Sequence, residues 1–169
     1  KGDNETSWAV LCTLAGRFFV MDWGGTLDGY GPETLELLTS KANEYKVSEV
    51  VYEENLGSGM FGEILGQYMR PKYACGITPY RAKGQKERRI IEKLEPVMRS
   101  HKIILNHQAA LRDSSLENKA YSLQHQVSRI TYDRGCLRYD DRIDCLAMAM
   151  DHLMSVAGVN SQKTVEEHR

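Results

Sequence analysis

The sequence predicts an α/β domain built on a mixed β-sheet flanked by helices. Three observations predict it: a hairpin pattern of short apolar runs at the start, helical and strand patterns alternating through the middle, and amphipathic stretches at the end. Ser7 to Leu14 (SWAVLCTL) reads as a strand and Arg17 to Trp23 (RFFVMDW) as its antiparallel partner, with Ala15-Gly16-Arg17 as the tight turn. Gly24, Gly25, Gly29 and Gly31 mark a connection. Pro32 suits the first position of a helix that Leu35, Leu37, Leu38 and Ala42 carry to about Lys46. Val47 to Glu53 (VSEVVYE) is an apolar run ending in acid, hence a buried strand. Met60 to Met69 reads as a helix and Tyr73 to Tyr80 as a strand. Gln85 to Arg99 reads as a long basic helix with Ile90, Ile91, Leu94 and Met98 on its core side. Lys102 to Asn106 is a short strand, 107–116 a loop, and Glu117 to Ile130 amphipathic. The last helix runs from Asp140 to about Val156. A domain over 1–158 and a polar, frayed tail over 159–169 follow from this pattern.

A chain of 169 residues can bury one core. Its 41% hydrophobic and 27% charged residues suit a water-soluble fold, and no run of about 18 apolar residues is present to span a membrane. The polar first residues are not expected to form a signal peptide. Cys12, Cys75, Cys136 and Cys145 form no CxxC pair and show no zinc spacing with the five histidines, so they read as small buried hydrophobes in a reducing compartment. The net charge of -1 hides an asymmetry: between Arg81 and Lys102 eight Lys/Arg stand against three Glu. A basic segment beside an acidic helix start suits a metal-dependent enzyme acting on a polyanion; a solvated helix face is the plainer alternative.

The acidic helix start is the most informative stretch. In Tyr139-Asp140-Asp141-Arg142-Ile143-Asp144, residues three and four apart share a face, so Asp141 and Asp144, and Asp140 and Asp144, point the same way. Ile143, Leu146, Ala147, Met150 and Met154 form the apolar stripe beside them. One Asp is enough for an N-cap, whereas three in five residues repel each other unless a cation sits among them. A second acidic element, Glu53-Glu54, closes the strand Val50-Val51-Tyr52, at the sheet edge where α/β proteins place ligands. Glu53 with Asp141 and Asp144 makes an oxygen-only donor set, which suits Mg²⁺ or Mn²⁺ and not zinc. A pair of such ions can activate a water and stabilise the leaving oxygen in phosphodiester cleavage. A solvated strand end is the alternative for Glu53.

Gly57-Ser58-Gly59-Met60-Phe61-Gly62 is a literal GxGxxG between a strand and a helix. Glu53 and Glu54 just before it would repel a pyrophosphate, and no acidic strand end follows about 20 residues on, so a dinucleotide site is rejected. The glycines instead let backbone approach closely, for packing or for a DNA phosphate. Arg81-Ala82-Lys83-Gly84-Gln85-Lys86-Glu87-Arg88-Arg89 crosses from a loop into a helix, where backbone amides with Lys83 and Lys86 would grip a phosphate. Arg88 and Arg89 can equally be surface charges. No Ser-His-Asp or Cys-His spacing and no GxxxxGK[ST] is present.

The stretches DNETSWAVL, VVYEENLGSGMFG, RAKGQKERRIIEKLEPVM and DRGCLRYDDRIDCLAMAM, in that order, resemble the C-terminal nuclease domain of the large terminase subunit of tailed phages, most of all the short-tailed podophages. The resemblance implies a ribonuclease-H-like fold. It implies a divalent-metal-dependent endonuclease (Mg²⁺ or Mn²⁺, two-metal) that cuts concatemeric double-stranded phage DNA during genome packaging in the host cytoplasm. It implies Glu53 as the fourth-strand carboxylate, Asp144 as the helix aspartate, Asp141 at a metal-associated position and Asp140 nearby. It also places Lys86 in the basic loop-to-helix element, with Arg81, Lys83, Arg88 and Arg89 as further DNA contacts. The implied partners are duplex DNA, an upstream terminase ATPase domain, the portal and the small terminase subunit, and no membrane. The family's first strand ends in an aspartate several residues before the equivalent of Asp3-Asn4-Glu5-Thr6, so that strand and its acid are expected upstream of Lys1. Asp3 reads as a loop residue, and Asp22 matches a non-catalytic position. Two alternatives stay open: a catalytically incomplete DNA-binding or portal-docking module, and a ribonuclease-H-like junction resolvase.

Overall fold

The computed structural model describes residues 4–167, with side chains described except at 58 and 159–167. Asp3 therefore lies outside the described residues. The chain runs β1 (Thr6–Leu14), β2 (Arg17–Thr26), α1 (Pro32–Glu44), β3 (Glu49–Glu53), α2 (Met60–Met69), β4 (Gly76–Tyr80), α3 (Lys86–Arg99), β5 (Ile103–Leu105), α4 (His107–Ser114), α5 (Leu123–Arg129) and α6 (Asp141–Glu167).

β1 and β2 form the expected hairpin, closed by the pair Leu14 and Arg17. Ala15 and Gly16 between them both take positive φ, 52° and 73°, the two-residue turn whose twist matches that of paired strands. β5 adds in parallel to β2, giving the order β1-β2-β5, while β3 and β4 pair in parallel as a second ladder. The mixed sheet is thus present in two ladders, with no hydrogen-bonded rung between β1 and β3 among the described residues. α6 spans both. It packs along β1 and α3, and reaches the second ladder through Tyr80 Oη donating to Asp151 at 2.7 Å and the His152–Glu49 pair at 2.8 Å.

Two apolar cores follow from this division. The larger joins Phe18, Val20 and Trp23 of β2 to Ile90, Leu94 and Val97 of α3 and to Ile143, Leu146, Ala147 and Met150 of α6. The stripe expected on α6 is the buried one. On α3, Ile90 and Leu94 are buried as expected, while Val97 is buried in place of Met98, which is 42% exposed. The smaller core joins Leu35 and Ala42 of α1 to Phe61, Leu65 and Met69 of α2. Gly62, the last glycine of the expected glycine-rich stretch, serves packing. A Cβ there would overlap the Tyr52 ring of β3, so glycine lets the helix lie against the strand. Gly57 and Gly59 take positive φ in the turn before it.

Residues 107–116, expected as loop, hold α4. Asn106 caps that helix, its side-chain oxygen accepting from the amides of Gln108 at 2.9 Å and Ala109 at 3.3 Å. The amphipathic run over 117–130 breaks into a short 3₁₀ turn and α5, because Ser122 is extended and caps α5. β4 and β5 start later than their apolar runs, at Gly76 and Ile103. The α6 backbone continues past Val156 to Glu167. Among the described residues no helix is long and apolar enough to cross a membrane.

Candidate metal and nucleic-acid site

Glu53, Asp141 and Asp144 line one cavity of about 120 Å³, together with Glu5 and Ser7 of the β1 end, Tyr80, Lys86 and Arg89. β3 delivers Glu53 at its C-terminal residue. The neighbouring Tyr52 is pinned against Gly62 and lies edge-on to Phe61, which also packs on Tyr30. Glu53 itself makes no side-chain hydrogen bond or ion pair among the described residues. The Tyr30 hydroxyl is pushed up by burial and by the Glu53 charge, so it stays a neutral donor beside the acid.

The start of α6 is capped from elsewhere, which frees its acids. The buried Gln126 carboxamide accepts from the Ile143 amide at 2.9 Å and donates to the Ala120 and Tyr121 carbonyls. Tyr139, stacked on Tyr121 at 4.1 Å, fixes the residue before the acidic pair. Among the described residues no side chain of Asp140, Asp141 or Asp144 accepts from an α6 amide, so capping does not explain the acidic run.

The acids meet other partners. Asp141 Oδ2 accepts from the Glu5 amide at 3.0 Å. Burial raises the Asp141 carboxyl above its usual range; the Asp140 charge adds to this and the Glu5 amide opposes it. Asp144 Oδ1 accepts from Arg89 Nη2 at 2.7 Å. Lys86 Nζ lies 3.0 Å from Asp140 Oδ1 and 3.6 Å from Asp144 Oδ2. Burial works against the Lys86 charge, yet the bond to Asp140 and the charges of Asp140, Asp144 and Asp141 outweigh it and raise the ammonium. Cys145 is no nucleophile here, since burial, with Asp144 and Asp141 beside it, pushes its thiol up to about 12.

Lys86 and Arg89, expected on phosphates, therefore reach into the acids. Arg81 pairs with Glu54 at 2.7 Å and Arg88 with Glu92 at 2.9 Å, both at the surface. Lys83 has no ion pair among the described residues. Sequence reasoning missed two residues that hold the site together. The Arg142 guanidinium donates twice to Glu5, each at 2.8 Å, and once to Asp113 at 3.0 Å, so it anchors the backbone amide that binds Asp141. The signal was thin: an Arg inside an acidic helix start, 137 residues from its partner.

The donor set suits a divalent ion in kind: carboxylates only, on a cavity that Ser7 also lines, its buried hydroxyl without a partner among the described residues. In arrangement it holds cationic side chains instead. Among the described residues no three His, Cys, Asp or Glu gather closely enough to hold a metal ion.

Known proteins now bear on this geometry. The family described as "Terminase Bacteriophage T7, Ribonuclease H-like domain" matches residues 1–103. The chain belongs to that family. Its two ladders with flanking helices are a ribonuclease-H-like terminase fold. The chain is also 36% identical to a protein of Enterobacteria phage T3 named "Terminase, large subunit", over 174 residues that cover 99% of this chain and 30% of that relative. It thus spans about 30% of the length of the terminase it matches. The family match ends at Ile103 and so includes Glu53 and the basic segment; the α6 acids fall within the T3 likeness.

Proposed function

We propose that this terminase-family chain is a divalent-metal-dependent endonuclease unit that cuts double-stranded phage DNA during genome packaging. The observation that carries the reading is one cavity bringing Glu53 from the end of β3 together with Asp141 and Asp144 from the start of α6, none of them spent on capping. Glu53, Asp141 and Asp144, with Asp140 beside them, would hold Mg²⁺ or Mn²⁺. Such ions, when bound, polarise a water and the phosphoryl oxygens.

The chain's own residues bind and position. Arg81, Lys83, Lys86, Arg88 and Arg89 offer charge-assisted donors to backbone phosphates, a contact that weakens with salt and carries little sequence preference. Arg142 and Glu5 hold Asp141 in place. Burial, then the bond to Asp151, pushes the Tyr80 hydroxyl at the cavity wall up to about 12, so it remains a proton donor at neutral pH. Duplex DNA, an ATPase domain of the same polypeptide, the portal and the small terminase subunit are the proposed partners, in the host cytoplasm.

One observation favours a second reading. Lys86 and Arg89 already neutralise Asp140 and Asp144, as in a DNA-binding or portal-docking module with an incomplete catalytic set. Plasmid nicking with Mg²⁺ or Mn²⁺ separates the two. The nuclease reading expects cleavage that EDTA and Glu53→Gln each abolish. Binding to DNA without cleavage, indifferent to metal, would leave the module.

A further inference from the structure

A second cavity, about 430 Å³, opens on the other side of Arg89. Its walls carry Arg81, Lys83, Arg88, Arg89 and Lys93 against two carboxylates, Glu92 and Asp151. Both carboxylates are occupied within it: Glu92 takes Arg88 at 2.9 Å, and Asp151 takes Lys93 and the Tyr80 hydroxyl, each at 2.7 Å. The groove is therefore a cationic trough with a net surplus of donors. Arg89 and Tyr80 line both cavities, so they form the partition between the trough and the acids.

This partition has two possible partners on its two sides. Arg89 and Lys86 are bonded to Asp144 and Asp140 through side-chain tips alone, and Lys86 is 42% exposed. A phosphodiester in the trough presents the same kind of acceptor that a carboxylate does, and a guanidinium binds either in a two-pronged fashion. Exchanging one anion for the other keeps each cation paired. Once the cations leave, Asp141, Asp144 and Glu53, which is unpaired among the described residues, repel one another around one small cavity with Asp140 beside it, and a divalent cation relieves that repulsion. Anion and cation would then favour each other's binding, and such coupling is reciprocal.

We propose that Arg89 and Lys86 are exchangeable counter-ions, seated on Asp144 and Asp140 until backbone phosphates of a duplex, lying in the Arg81–Lys93 trough beside Arg89 and against the exposed Lys86 of the acidic cavity, draw them off and open the carboxylates to a divalent cation. The inference rests on the nuclease reading and adds to it a coupling in which phosphate and metal each favour the other's binding. It explains why the acids gather at one cavity while no three of them stand as a ready-made ion site among the described residues.

The test measures Mn²⁺ uptake by electron paramagnetic resonance on the chain without DNA. Lys86→Gln and Arg89→Gln should each tighten Mn²⁺ binding by about fivefold, the size of one half-buried ion pair. Arg99→Gln, which removes the same charge from the far end of α3, should not. A second measurement follows the Arg89 Nε–H resonance in EDTA as a short duplex is added, and it should move as the guanidinium changes partner. Equal Mn²⁺ affinity in wild type and both variants, or an Arg89 resonance that stays put while the duplex saturates the chain, overturns the exchange. Lys86→Gln keeps the first arm decisive should the more buried Arg89 variant misfold. Glu53-dependent plasmid cleavage alongside unchanged affinities would sink the exchange alone; no Mn²⁺ uptake and no cleavage in any form would sink the nuclease reading with it.

Discussion

Asp113 and Asp144 are both aspartates bonded to an arginine, and they do opposite jobs. Asp113 is 2% exposed. Its oxygens accept from the Ser122 hydroxyl at 2.7 Å, the Leu123 amide at 3.0 Å, the Gln124 amide at 3.2 Å and Arg142 at 3.0 Å. Backbone supplies half of those bonds, and backbone cannot swing away. Asp144 lines a cavity, and among the described residues its side chain is held by Arg89 and Lys86 alone, two long side chains, the first of which also lines the basic trough. An acid saturated by fixed donors joins α4, α5 and α6; an acid held by movable ones keeps its charge available. Fixity of the donors, more than ion pairing as such, separates Asp113 from Asp144.

The strongest way to break this contrast is to neutralise each acid in turn. Asp144→Asn should lower Mn²⁺-dependent plasmid nicking by about 10²–10³-fold, the usual cost of removing one electrostatic contributor, while the thermal midpoint stays near wild type. Asp113→Ala should instead destabilise by about 3 kcal/mol in urea unfolding, because it removes one of the acceptors of the buried Arg142 and the acceptor of the first two amides of α5. A large stability loss in the first variant, or none in the second, would erase the distinction.

Acid sharpens the same comparison. Burial works to raise the Asp113 carboxyl, but the bonds from Ser122, Leu123 and Gln124 outweigh it and hold it below the usual 3.8. Asp22 behaves alike: burial raises it, and Lys41 and Arg112 bring it below 3.8. The folded form therefore binds fewer protons than the unfolded one below that value. Their stabilisation is complete above about pH 4 and drains away as pH falls through the depressed range. An acid-unfolding midpoint that rises in Asp113→Ala would be the expected sign of this contribution.

Smaller effects probe the scaffold. Gly62→Ala should cost about 2 kcal/mol by wedging α2 off Tyr52, and should lower cleavage by moving the adjacent Glu53. Arg88→Ala, which loses only the exposed pair with Glu92, should change stability by less than about 0.5 kcal/mol.

These contrasts were only partly legible in the sequence. The hairpin was readable because Ala15-Gly16 sits between two apolar runs, and the α6 stripe because its period is helical. The three acids of α6 stood out because their number exceeds what one cap needs. Asn106 reads as the end of a strand with a loop after it, since a capping Asn looks the same before a loop as before a short helix. That Lys86 and Arg89 face carboxylates could not be read, because both acids and phosphates want the same cations. The Glu5–Arg142 anchor has no local signature, since its two residues meet only through the completed fold.

That anchor carries a consequence for biosynthesis. Residue 5 and residues 141–142 must both be in place before Asp141 is held, which makes closure of the site a contact of very long sequence separation. A nascent chain still threading its last helix out of the ribosome owns the basic trough but lacks the aspartates. The carboxylates of the proposed site are therefore brought together only once residues 141–142 have been made.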